Sequence, residues 1–258
     1  MIDTHCHLSS SQFDKDREEV IRRAFAAGLA AIVEVGYSVE KSRRARALSE
    51  RPGIFPTAGI HPHEAGRSDD KAFEEIVRMV REDGAVAVGE TGLDFYRDFA
   101  PADAQRALFR RHIALALEAG LPLVIHTRAA SEEMLATLRE SGAGRVGGSL
   151  HAFHGDPEFA REGVALGFHL GIGGGLAKDP ARLRSSLQDI PLERLLLETD
   201  APYLSPPGTS RRNEPSNIPV IARVLADALG RDADEVSRVT DENARRLFKL
   251  PEQPPEAR

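Results

Sequence analysis

The opening stretch Met1-Ile2-Asp3-Thr4-His5-Cys6-His7 sets two imidazoles two residues apart. In a strand, whose side chains alternate, His5 and His7 face one way and Cys6 the other. Two neutral imidazoles on one face can share a divalent metal about 2.0–2.1 Å away. The alternative is a solvated polar pair near the N-terminus. Four more metal-competent side chains end or follow short apolar runs. Glu90 follows Ala85–Gly89, His126 ends Leu123–His126, His151 ends Val146–His151, and Asp200 lies just past Leu195–Glu198. Each has a structural alternative: a cap or surface acid for Glu90, a satisfied core histidine for His126 and His151, an Asx turn for Asp200. Jointly, those alternatives require independent accidents at one rim. Four histidines and two carboxylates are enough for two ions, with Glu90 able to bridge them and Asp200 able to hold a water.

Further groups follow the same kind of run. His61 and His63 flank Pro62 after Ile54–Gly59, and we expect them to touch substrate or stabilise charge in the transition state. Arg128 stands two residues past His126 and can fork onto phosphate oxygens. Arg212, in Arg211-Arg212-Asn213-Glu214-Pro215, is a second such candidate. A surface salt bridge is the alternative for both. His112 lies in a helical pattern and His169 at the start of a strand, so both read as structural, and Cys6 reads as packing against outer helices.

The elements that would position these groups alternate from end to end. Strand candidates are Ile2–His7, Ala30–Val35, Ile54–Gly59, Ala85–Gly89, Leu123–His126, Val146–His151, Phe168–Gly171 and Leu195–Glu198. Amphipathic helical stretches lie between them, for example Glu18–Ala27, Ala72–Glu82, Gln105–Ala119 and Ile218–Leu229. Eight βα repeats in this length predict a parallel (β/α)8 barrel of the TIM type, residues 1–250, as a single domain. Its chemistry belongs at the C-terminal ends of the strands, where the candidate residues fall. A doubly wound open sheet shares the alternation, but no glycine-rich dinucleotide fingerprint follows the first strand. Gly171-Ile172-Gly173-Gly174-Gly175 reads as a flexible turn, Asp234–Leu247 as a helix on the barrel exterior, and residues 251–258 as a flexible tail.

Bulk properties narrow the classes. A 258-residue chain with 41% hydrophobic and 29% charged residues is an ordinary globular protein. One cysteine excludes an internal disulfide and fits a reducing compartment. No signal peptide or membrane-length apolar run is visible, so the expected location is cytoplasmic and no membrane partner is expected. A net charge of −6 argues against a broad basic nucleic-acid face, although two bound cations would reverse the local sign.

Three motifs resemble the TatD-related metal-dependent deoxyribonucleases: Asp3-Thr4-His5-Cys6-His7-Leu8, Gly89-Glu90-Thr91-Gly92-Leu93-Asp94 and Leu196-Leu197-Glu198-Thr199-Asp200-Ala201-Pro202-Tyr203-Leu204. Gly59–His63, Pro122–Arg128, Arg212–Pro215 and Thr240–Ala244 are similar too, so the resemblance runs to about Leu250. It implies one metal on His5, His7, Glu90 and Asp200 and another on Glu90, His126 and His151. It also implies hydrolysis of DNA phosphodiesters, often as a 3′→5′ exonuclease, on single strands or ends. One departure is Ala152-Phe153-His154-Gly155, where the family more often has Cys-Phe-Ser-Gly.

The expected mechanism is a water activated by two divalent ions, with Asp200 as proton acceptor and Arg128, His61 and His63 orienting the phosphate. Imidazole-rich ligation favours Zn, Mn, Fe or Co on chemical grounds, while family nucleases are often used with Mg, so Zn, Mn or Mg are all admitted. Amidohydrolase-like or aminoacyl-tRNA deacylase chemistry on an amide or ester is the alternative enzyme reading. A non-catalytic binding barrel is the reading from another class.

Overall fold

Each apolar run becomes a strand of one parallel sheet in a computed structural model, which describes residues 1–252. The strands are β1 (Ile2–Cys6), β2 (Ala31–Glu34), β3 (Ile54–Ala58), β4 (Ala87–Asp94), β5 (Leu123–Arg128), β6 (Gly148–Leu150), β7 (Phe168–Ile172) and β8 (Leu195–Leu197). They run in sequence order, buried almost throughout, which explains why they read as continuous apolar segments rather than alternating ones. The helices are α1 (Arg17–Ala26), α2 (Val39–Leu48), α3 (Asp70–Glu82), α4 (Ala102–Ala119), α5 (Ser131–Glu140), α6 (Pro157–Ala165), α7 (Gly174–Ala177), α8 (Pro180–Leu187), α9 (Ile218–Leu229) and α10 (Ala233–Phe248). Local chemistry sets their ends. Asp156 caps α6 ahead of Pro157, Asp232 caps α10, and left-handed Gly120 and Gly230 stop α4 and α9.

The (β/α)8 barrel closes where the chain after β8 meets β1. Cys6 bridges Ala201, Asp200 N–H donates to His5 O at 2.8 Å, and His7 N–H donates to Ala201 O at 2.8 Å. Asp3 clamps the same seam: it accepts from Thr199 N–H at 2.9 Å and from the Thr199 hydroxyl at 2.5 Å. Burial pushes the Asp3 carboxyl up to about 8.

Two local readings need correction. The fourth strand does not stop at Gly89 but runs to Asp94, carrying Glu90 inside it. The reason is a bulge. Val88 pairs with Leu123 and Thr91 with Ile125, so β4 uses one more residue than β5 over that stretch. Gly171–Gly175 is not a flexible turn: Gly171 and Ile172 belong to β7, and Gly174 opens α7. A Cβ at Gly171 would lie 2.1 Å from Glu198 Oε2, so the missing side chain makes room for that carboxylate. The tail expectation concerns residues 251–258, of which 253–258 lie outside the described residues.

Gly92 is what allows β4 to lie this close to β5. Its φ is +137°, and a Cβ there would sit 2.0 Å from His126 O. Gly84 also has positive φ, +76°, but a Cβ at that position would meet no atom within 4 Å. We expect Gly92→Ala to lower unfolding free energy by roughly 2–5 kcal/mol in urea titrations, combining overpacking with left-handed strain. Gly84→Ala should cost only the strain, roughly 1–2 kcal/mol. Equal losses in the two variants would refute the close-approach account.

Candidate active site

The strand ends bring all six candidate ligands together around one buried carboxylate. Glu90 Oε2 lies 3.7 Å from both His5 Nε2 and His7 Nε2. Glu90 Oε1 lies 3.3 Å from His126 Nδ1, 3.5 Å from His151 Nε2 and 3.6 Å from His61 Nε2. Asp200 Oδ1 completes the first side, 3.3 Å from His7 Nε2 and 3.8 Å from His5 Nε2. The β4 bulge turns Glu90 inward. A second bulge, between Asp3 and Cys6 in β1, lies at His5.

The far nitrogen of each ring decides what the near one can do. His7 Nδ1 is 3.1 Å from the Val35 carbonyl, which can only accept, so Nδ1 carries hydrogen and Nε2 presents its lone pair when the ring is neutral. His151 Nδ1 donates to Glu198 Oε1 at 3.1 Å, with the same result. His126 is turned the other way, its Nε2 donating to Asp94 Oδ2 at 3.1 Å and its Nδ1 facing Glu90. His5 Nδ1 is buried without a partner, and its Nε2 faces His7 Nε2 across 3.2 Å. Two ring nitrogens at that separation need a proton or a cation between them. The donor chemistry therefore fits divalent metal, with convergent sets His5/His7/Asp200 and Glu90/His126/His151.

His61 differs. Its Nδ1 accepts from His63 N–H at 3.1 Å, so the proton of the neutral ring sits on Nε2 and points at the site as a donor. Burial lowers His61 to about 3, which keeps it neutral. His63 instead donates from Nε2 to Asp94 at 2.7 Å, supporting the carboxylate that orients His126. The loop bearing them is pinned by His112, which accepts from Ile60 N–H at 3.1 Å and donates to Leu108 O at 2.9 Å.

Charge follows the same geometry. Burial disfavours the Glu90 carboxylate, but the imidazoles around it, His61 and His126 foremost, outweigh this and hold it well below the usual range. Burial disfavours charge on His7 too, yet Asp200 and Glu90 raise it to about 9. Glu198 raises His151 to about 10 against the same burial. Burial and the neighbouring His151 hold His5 far below its ordinary value.

Arg128 lines the cavity of about 640 Å³ above these groups, together with Asp200, His126, His151 and His154. Arg212 is placed differently from the expectation of a phosphate contact. Its guanidinium forks onto Asp16 at 2.8 and 2.6 Å, reaches Glu214 at 2.9 Å and Gln12 O at 3.0 Å, and lies over Phe13. It straps the loop after β8 to the N-terminal segment. Reading the sequence for ligands passed over Asp94, Glu198 and Glu34. Glu34 fixes the turn after His7 by accepting Leu8 N–H at 2.6 Å and Ser9 N–H at 2.8 Å. The available signal was a carboxylate at or just past the ends of β2, β4 and β8, with Asp94 and Glu198 inside motifs already singled out.

The model of the family described as TatD related DNase matches residues 2–249. The chain is 39% identical over 253 residues to the "Uncharacterized metal-dependent hydrolase YabD" of Bacillus subtilis, covering 97% of this chain and 99% of that one. It is 41% identical over 256 residues to the "3'-5' ssDNA/RNA exonuclease TatD" of Cronobacter sakazakii, covering 96% and 97%. Among solved structures, the TatD homologue YjjV of Escherichia coli superposes with a TM-score of 0.91 at 31% identity, covering 97% of this chain and 98% of that one.

Long-range ¹⁵N–¹H spectra of the metal-free protein near pH 7 check the ring assignments. We expect His61 as the neutral Nε2–H tautomer, and His7 and His151 protonated on both nitrogens. A neutral Nδ1–H form of His61 would invert its role from donor to ligand.

Proposed function

The chain belongs to the TatD related DNase family, and from that premise we propose that it is a metal-dependent hydrolase cleaving DNA phosphodiester bonds from the 3′ end of a single strand. The observation that carries this reading is Glu90, whose two oxygens face two separate nitrogen-rich donor sets. We assign one divalent ion, Zn, Mn or Mg, to His5, His7, Glu90 and Asp200, and a second to Glu90, His126 and His151. Such ions would supply Lewis-acid charge to the phosphoryl oxygens and lower the pKa of water. The support includes the hydrogen bonds from Val35, Asp94 and Glu198, which leave lone pairs pointing inward on three of the four histidines.

The chain's own residues divide the remaining work. Asp200 borders the cavity with its carboxylate partly exposed, placed to accept the proton of an attacking water. Arg128 offers a guanidinium fork to a non-bridging phosphate oxygen, and His61 Nε2–H offers a second donor from the β3 side. His63 acts on substrate only through Asp94 and His126. Burial of the ligand shell beneath the cavity keeps bulk water from Glu90. With Cys6 the lone, buried thiol, we place the reaction in the reducing cytoplasm. Among the described residues, no helix is long and apolar enough to cross a membrane.

Asp200→Asn should lower kcat on a 3′-labelled single-stranded oligonucleotide by about 10²–10⁴-fold, with the urea midpoint retained. Near-normal turnover in the folded variant would take Asp200 out of the mechanism.

Metal uptake should also report its ligands through protons. His7 and His151, held protonated up to about 9 and about 10, must each lose a proton to ligate. The metal-free form therefore binds more protons, and affinity rises with pH until those values are passed. Calorimetry near pH 7, in buffers of different ionisation enthalpy, should show about two protons or more released as one chain fills, any excess coming from His126, which Asp94 and Glu90 raise against burial. No release would mean that His7 and His151 are not ligands that enter the site protonated.

A further inference from the structure

Arginines on this protein's surface are commonly matched to acids: Arg43 with Glu75, Arg51 with Glu18, Arg139 with Glu162, Arg212 with Asp16. Exposed arginines without such a partner also occur elsewhere, Arg145 and Arg223 among them, but three gather at the cavity: Arg128 and Arg182 line it, and Arg97 flanks the lining residue Tyr96. Arg97, Arg128 and Arg182 have no carboxylate within 4.0 Å among the described residues. Arg128 and Arg97 lie against the ring of Tyr96, at 4.0 and 5.5 Å from its centroid, and Tyr96 is 62% exposed. Arg182 enters the same cavity from the opposite wall, where its Nε–H reaches Gly155 O at 3.4 Å. One acid shares that wall: Asp179 caps α8 by accepting Arg182 N–H at 3.0 Å.

One scissile phosphodiester carries a single charge, and the groups around Glu90 with Arg128 suffice for it. Two more unpaired guanidiniums beside the same cavity, in a chain of net charge −6, supply positive charge for further anions. We propose that Arg97, Arg128 and Arg182 form a phosphate track that holds the strand beyond the scissile linkage. Tyr96 is the positioning residue that keeps Arg97 and Arg128 in place by cation–π contact. The inference rests on the nuclease reading and deepens it: the substrate is a polyanionic single strand several nucleotides long rather than a lone phosphodiester. The tyrosine face holds the guanidiniums without neutralising them, which a carboxylate partner would do.

Electrostatic contacts to a single strand carry a salt slope of about 0.7 per neutralised phosphate in log affinity against log salt. The test measures that slope by fluorescence anisotropy on the metal-loaded protein, with a decamer of phosphorothioate linkages. Arg97→Ala and Arg182→Ala should each shallow the slope by about 0.7, so each loses about 2.6-fold of the affinity change between 50 and 200 mM salt. Tyr96→Leu should shallow it too, while Tyr96→Phe, which keeps the ring, should restore the parent slope. In turnover, either arginine variant should lose far more kcat/KM on a cleavable decamer than on a dinucleotide, and lose it through KM. Parent-like slopes in both arginine variants, or equal losses on the two substrates, would overturn the track. The nuclease reading fails separately: a parent protein that binds the decamer with the track's salt slope yet cleaves neither substrate would keep the track and remove the nuclease.

Discussion

One buried carboxylate organises this molecule. Glu90 has five imidazole nitrogens within 3.3 to 3.7 Å of its oxygens and is 4% exposed. A carboxylate taken out of water is costly unless it is matched by charge and hydrogen bonds, and a half-matched buried network is worse than none. The ends of β1, β3, β5 and β6 therefore each bring imidazoles to that matching. The bulge in β4 is the local cause, because without the extra residue the β4–β5 register would carry Glu90 to another orientation. Gly89 and Gly92 allow the bulged strand to lie against the β5 backbone, where a Cβ would come within 2.4 Å of Val124 O and 2.0 Å of His126 O.

The ring tautomers are a second consequence, and they tie the site to the closure of the barrel. His7 is set by a β2 neighbour, His126 by the end of β4, and His151 by the segment leaving β8. The partners of His7 and His126 come from an adjacent strand or its end, and that of His151 from two strands along the sheet. Among the rings that face Glu90, His61 takes its orienting bond from its own loop, its Nδ1 accepting from the backbone two residues on. That is the ring that presents N–H rather than a lone pair. Lone pairs thus come from the sheet and the hydrogen-bond donor from a loop. The Asp3–Thr199 clamp holds the β1–β8 seam so that His5, His7 and Asp200 share one frame.

The barrel and its ring of metal-competent side chains were legible because both are repetitive or local. Apolar runs with a βα beat declare the strands, and a metal-competent residue at the end of a strand needs no long-range information. The misplacements share a different cause. The end of β4 was set too early because Gly89 and Gly92 look like strand breakers, while a bulge depends on the partner strand. Arg212 looked like a phosphate contact because residue type does not show that Asp16, 196 positions away, would claim its fork. Asp94 and Glu198 were passed over because an orienting carboxylate is defined by the ring it touches, and those rings lie 32 and 47 residues away.

The segment after β6 shows how such orientation survives a change of residue. The family more often has Cys-Phe-Ser-Gly there, and this chain has Ala152-Phe153-His154-Gly155. Ala152 adopts φ +47°, a left-handed conformation that costs a non-glycine residue about 1–2 kcal/mol. That conformation accompanies the 2.6 Å hydrogen bond from Ala152 N–H to Glu198 Oε1, the oxygen that also accepts from His151. His154 then folds its Nδ1–H back onto Ala152 O at 2.6 Å, closing a local ring around the strained residue. Charge-assisted hydrogen bonds of this kind contribute about 1.5–3 kcal/mol, enough to offset the strain. Neither the cysteine nor the serine is therefore needed to keep Glu198 fixed and His151 facing inward. His154 serves that backbone while its ring lines the cavity, so this departure from the family pattern leaves the inward-facing placement of His151 intact and changes only the wall beside it.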